Sequence, residues 1–170
     1  MELIGIGLLL ARLFLGLGLA AHGAQKLFGW FGGYGLKGTG GFFESMGFKP
    51  GTLFAGMAGL GEFLGGMLVA VGWLGPIGPA LIVSVMVIAI ITVHWQHGFF
   101  VSSNGVELPL MNIAAALALT FAGFGAYSLD AIAQVDALAT PQAAWIAIII
   151  AVVGALLSLI DRKPPAPAAA

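Results

Sequence analysis

Residues 53–73 read LFAGMAGLGEFLGGMLVAVGW, an apolar run with a single charge, Glu62, near its middle. Its length matches the ~20 residues that a helix needs to cross the hydrocarbon core of a bilayer. Gly56, Gly59, Gly61, Gly65, Gly66 and Gly72 punctuate it. Small residues of this kind let membrane helices approach closely, since lipid gives helices no hydrophobic drive to associate. A carboxylate at that depth costs roughly 2.5–3.5 kcal/mol on insertion scales. It persists only where it meets a counter-charge, water or a ligand.

The same pattern recurs on both sides. Leu3–Ala21, Ile77–Trp95, Leu108–Phe124 and Ala143–Ile160 complete a set of five predicted spans. Leu74-Gly75-Pro76 makes the second and third an antiparallel hairpin. His22–Thr52 is a glycine- and aromatic-rich connection, in which Trp30, Phe31, Tyr34, Phe42 and Phe43 suit the headgroup zone. Thr39–Met46 reads there as a short interfacial helix, ended by Gly47 and Pro50. The fold class is therefore all-α, a polytopic membrane helix bundle. With 60% hydrophobic and 8% charged residues, and no Asp, Glu, Lys or Arg between Glu62 and Glu107, a soluble domain or a disordered chain is excluded. A net charge of −1 gives no reason to expect nucleic acid as a partner. The absence of cysteine removes disulfides, thiolate metal sites and thiol–disulfide relays.

Five spans place the first loop, the third loop and the C-terminus on one side. Lys26, Lys37, Lys49, Arg162 and Lys163 all fall on that side, whereas Asp130 and Asp136 fall on the other. The positive-inside rule then puts the N-terminus outside and the C-terminus in the cytoplasm. Ala21-His22-Gly23 resembles a small-x-small cleavage site, but Glu2 and Arg12 are wrong for a signal peptide. The first segment is expected to remain a helix.

Two sets of residues stand out. Arg12 and Glu62 each lie about nine residues from the start of their spans, which suggests a matched intramembrane pair near the midplane. The second set gathers at the cytoplasmic helix ends and holds every histidine: His22, Lys26, Glu44, His94, His97, Asn104 and Glu107. Three readings compete for it. The residues could anchor helix ends at headgroups. His22, His94, His97 and Glu107 have the chemistry of a metal site, although their spacing matches no dedicated motif and Lys26 opposes a cation. Finally, a quinone-like head group needs hydrogen-bond donors and a proton-exchanging side chain, for which histidine with carboxylate or arginine support is suited.

The stretches ARLFLGLGLAAHGAQKLFGWFGG (11–33), FFESMGF (42–48), GLGEFLGGMLVAVGWLG (59–75), TVHWQHGFF (92–100) and NGVELPLMN (104–112) resemble the DoxX family of small bacterial membrane proteins. The resemblance falls on Arg12, His22, Lys26, Glu44, Glu62, His94, His97, Asn104 and Glu107, the residues that depth and charge single out. It implies a four-helix membrane core in the bacterial inner membrane. It also associates the chain with quinol-oxidising and thiosulfate:quinone systems, in which relatives act as subunits. The departure is a fifth transmembrane helix, so residues 1–130 are expected to form the core, 131–160 a loop and the added helix, and 161–170 a disordered Pro/Ala tail.

The leading expectation is an accessory or redox-associated subunit with a quinone-like or small-ligand pocket on the cytoplasmic side. A redox partner subunit or a homo-oligomer would complete it. A non-enzymatic scaffold is the alternative, and a solute or proton pathway in an oligomer the third.

Overall fold

In the computed structural model, residues 2–135, 137–160 and 162–163 are described. Asp136 and the tail expected over 161–170, apart from Arg162 and Lys163, lie outside them. Among the described residues all regular structure is helical. Helix α1 spans Glu2–Phe28, α2 Gly35–Ser45, α3 Gly51–Val71 and α4 Ile77–Ala89. The rod of α4 continues through a π-helical turn, Ile90–His94, and a 3-10 turn, Trp95–His97. Helix α5 covers Glu107–Ala122, the short α6 Leu129–Ala133 and α7 Pro141–Leu157.

The interfacial helix expected over Thr39–Met46 is longer at its N-terminal side, beginning at Gly35. Of the five expected spans, three are long and apolar enough to cross a bilayer: Glu2–Phe28, Gly51–Val71 and Ile77–His97. Glu107–Ala122 and Pro141–Leu157 are apolar but only 16 and 17 residues long. At ~1.5 Å per residue they fall just short of a ~30 Å hydrocarbon core. Within the three long helices, 28–44% of the most apolar window is buried in the protein. The remaining surface, including Leu3, Phe14, Leu53 and Leu64, is exposed and apolar. Only lipid suits such a surface, and the chain is an integral membrane protein.

The main partner of α1 is α3, running antiparallel. Two glycine pairs at heptad spacing set their register. A Cβ at Gly16 would fall on the Gly66 carbonyl and the Ala70 amide, and one at Gly23 on the Gly59 carbonyl and the Phe63 amide. This level-by-level match places Arg12 beside Gly72, at the C-terminal end of α3. Glu62 instead lies level with the last turns of α1. The two charges are therefore about ten helical residues apart in depth, or ~15 Å. The matched midplane pair expected from the sequence does not form. The start of α1 runs past the end of α3 and packs Gly5 against Tyr127, so distance from a helix start is not distance into the membrane.

The α3–α4 turn shows why the chain reverses there. Gly72 ends α3 in a left-handed conformation, φ 69°, and Leu74 follows at φ 63°. A left-handed leucine is strained unless something holds it. Asp130 does so: its carboxylate accepts from Leu74 N at 2.9 Å and Gly75 N at 2.8 Å. Its own amide donates to Gly72 O at 3.0 Å. One apolar core joins α1, α3, α4, α5 and α7 around Val69, Ile82, Val83 and Ala116. A second, built on Phe43, Phe48 and Ala55, seats α2 against α3.

Candidate functional site

At the end of the bundle where α1 and α4 finish and α5 begins lies a cavity of about 440 Å³. That volume is within the usual range for small-molecule sites. Its walls are mostly apolar: Phe42, Phe43 and Met46 from α2 and its exit, Phe54 and Met57 from α3, Val85, Met86 and Ile88 from α4. Into it converge His22, Lys26, Glu62, His94 and Asn112.

Lys26 and Glu62 form an ion pair, Nζ to Oε2 at 2.5 Å. The Lys26 side chain is 27% exposed and that of Glu62 only 6%. Side chains of a helix lean toward its N-terminus, so Lys26 reaches back along α1 to the level of Glu62. The heptad glycines make this possible, because Gly59, one turn before Glu62, lies under the Lys26 Cβ. Glu62 thus has the counter-charge its depth demands, but from lysine rather than from arginine. Arg12 is buried to 1% exposure at the opposite end, where Nη2 donates to Tyr127 O at 2.7 Å. Among the described residues its Nε and Nη1 have no hydrogen-bond partner.

His94 closes the cavity from α4. Its Nδ1 donates to Asn104 O at 2.7 Å. Asn104 has a left-handed backbone, φ 65°, a conformation that asparagine tolerates better than most residues. The π-helical turn ends on His94, and Thr92 within it sends Oγ1 back to Ile88 O at 2.8 Å.

The remaining residues of the expected cluster do other work. His97 Nδ1 donates to Val93 O at 2.8 Å, and Ser103 Oγ to His97 O at 2.8 Å. Glu107 Oε2 accepts from Val101 N at 2.8 Å, which ties the 98–107 loop to the start of α5. Glu44 Oε1 accepts from Gly51 N at 3.2 Å, joining α2 to α3. His97, Asn104, Glu107 and Glu44 are therefore builders of the loops that frame the cavity, while His22, Lys26 and His94 line it. The quartet of His22, His94, His97 and Glu107 is not assembled. Among the described residues no group of three or more His, Asp or Glu is placed to hold a metal ion.

Asn112 belongs to the polar residues that the sequence gathers at this end, whereas the contribution of the fifth helix was not anticipated. Among the described residues Asn112 donates Nδ2 only to the thioether of Met86, at 3.6 Å, so its amide is weakly engaged. It is a polar side chain one turn into an otherwise apolar helix, and that was its visible signal. The fifth helix also reaches the site, because Ser158 lines the cavity. Just beyond it, Arg162 Nε donates to Met46 O at 2.8 Å, and its guanidinium sits 5.6 Å from the Phe48 ring centroid.

The DoxX family model matches residues 7–95, more than half of the chain. No curated protein and no solved structure matches it.

Proposed function

The chain belongs to the DoxX family, and from that premise we propose that it is a redox-associated membrane subunit that binds a quinone-like ligand in the cavity. The observation that carries this reading is that Lys26, Glu62, His22, His94 and Asn112, from four helices, all line one mostly apolar cavity. Few precisely placed polar groups in an apolar pocket are the usual signature of a small-molecule site.

A quinone-like head fits the groups available. Lys26 retains ammonium protons beyond the one given to Glu62 and can donate to a ring oxygen. Glu62 and the histidines can hold or take up a proton at the ligand. The aromatic and methionine walls accept an isoprenoid or other apolar tail, methionine being well suited to irregular shapes. When bound, the ligand supplies two-electron redox chemistry, and the electrons pass to or from a partner subunit. Asn104, Glu107, His97 and Glu44 set the positions of the walls and do not meet the ligand directly.

The same reading places the protein in the bacterial inner membrane, with the N-terminus outside and the C-terminus cytoplasmic. What supports this is the clustering of Lys26, Lys37, Lys49, Arg162 and Lys163 at the cavity end. Residues 1–130 form the family core, and the loop and fifth helix over 131–160 are an addition that finishes the cavity wall. The scaffold reading is less favoured. Gly16 and Gly23 of α1 and Gly59 and Gly66 of α3, which a partner helix could have used, are taken up by the α1–α3 contact itself.

Extraction of the protein purified in native lipid, followed by mass spectrometry, tests the proposal. A quinone, counted in its oxidised and reduced forms together, should be recovered with the wild type and should fall about tenfold in Lys26→Met/Glu62→Gln, corresponding to roughly 1.4 kcal/mol of binding. Recovery of the same quinone from both proteins, at matched thermal stability, rejects this cavity as the site.

A further inference from the structure

We infer that the cavity selects ligands whose head donates a hydrogen bond, and that the Asn104 backbone sets this selectivity through the tautomer of His94. The inference rests on the reading of the cavity as a ligand site. Its chemistry follows from one hydrogen bond. A carbonyl oxygen can only accept, so the 2.7 Å contact between His94 Nδ1 and Asn104 O requires the proton on Nδ1. A neutral imidazole carries one ring proton, and Nε2 is then a bare lone pair. That nitrogen is the one His94 has left for a ligand, and His94 lines the cavity.

A second acceptor lies in the same cavity. Glu62 gives Oε2 to Lys26, and among the described residues Oε1 has no hydrogen-bond partner in the protein. The site thus presents two acceptors beside the Lys26 ammonium. A head with hydroxyl groups satisfies His94 Nε2 and Glu62 Oε1. A bound head of the same shape without an O–H shuts water away from one or both and leaves them unpaired. Sites built to hydrogen-bond a hydroxyl reject the analogue lacking it strongly, because the protein group is stranded. The ligand class is therefore a hydroxyl-headed amphiphile of the hydroquinone or phenol type.

Asn104 is a positioning residue here. Its side chain makes no hydrogen bond among the described residues, and its contribution is a carbonyl aimed by a left-handed backbone, φ 65° and ψ 26°. Glycine adopts that conformation freely and a β-branched residue does not. Asn104→Gly should preserve the carbonyl and the tautomer, while Asn104→Val should displace both.

The test uses a short-chain alkyl hydroquinone, kept reduced under anaerobic conditions, and its dimethyl ether, which has the same ring and tail but no O–H. Binding to the full chain in nanodiscs is measured by calorimetry. The hydroquinone should bind the wild type at least about tenfold more tightly than the ether. His94→Phe and Asn104→Val should lose that preference. His94→Gln, whose Oε1 can replace the Nε2 acceptor, and Asn104→Gly should keep it. Equal binding of the two probes to the wild type, or a preference that survives His94→Phe, overturns the inference and leaves the ligand site standing. If neither probe binds, the ligand-site reading falls and the selectivity with it.

Discussion

The two ends of the α1–α3 pair each hold a basic side chain of α1, with opposite results. At one end Arg12 lies beside Gly72 and, among the described residues, has a backbone carbonyl as its single hydrogen-bond partner. At the other, Lys26 meets the Glu62 carboxylate on the wall of a cavity of about 440 Å³. Both residues are cations that pure hydrocarbon would reject. What differs is the packing around them. Close-packed backbone turns a charge into a fastener, whereas a gap beside the charge leaves a site.

The comparison is broken most severely through the glycines that hold the pair together. Gly16→Leu places side-chain atoms on the Gly66 carbonyl and should cost about 3 kcal/mol or more, the upper range for overpacking. Gly18, on the same helix, has nothing within 4 Å of an added Cβ. Gly18→Leu should stay within about 0.5 kcal/mol of wild type. Thermal unfolding in one detergent reads both, and similar losses from the two would refute the register.

Double-mutant cycles sharpen the contrast at the next level. Lys26→Met and Glu62→Leu should be coupled by about 1–2 kcal/mol, while Arg12→Met and Glu62→Leu should add to within about 0.5 kcal/mol. Coupling between Arg12 and Glu62 would restore the midplane pair that the depth argument suggested. A smaller effect than any loss of the Glu62 pair is expected of Arg12→Met alone. Because among the described residues no carboxylate is stranded and two unsatisfied nitrogens are removed, stability should change by no more than about 1 kcal/mol. A loss comparable to that of Glu62→Leu would mean that Arg12 has a charged partner after all.

Much of the fold was legible because its signals are local. Apolar runs, the Leu74-Gly75-Pro76 turn and the aromatic loop each announce themselves within a window of residues. The pairing of Arg12 with Glu62 failed because depth depends on how two helices slide past each other. The clue to that sliding was present: Gly16 and Gly23 on α1, and Gly59 and Gly66 on α3, share one spacing and mark the contact stripe. Read as a register, they bring Lys26 to Glu62. The histidine cluster was half legible for a related reason. Topology brings all three histidines to one end, but whether each faces the cavity depends on the loop hydrogen bonds of Asn104 and Glu107. Nothing in their spacing reveals those bonds. Asp130, one of two acidic residues between α5 and α7, gave no sign in the sequence that it restrains Leu74.

The π-helical turn at Ile90–His94 has a consequence for sequence change in α4. Removing one residue from a regular helix rotates everything after it by roughly 100°. Here the wide turn already holds a surplus residue, so a single-residue deletion between Ile90 and Val93 can be absorbed as ordinary α-helix. The rod would survive, and His94 would keep its face toward Asn104. This segment should therefore tolerate a one-residue deletion that the regular part of α4 does not. Deletion scanning across α4 would show that tolerance confined to this one turn.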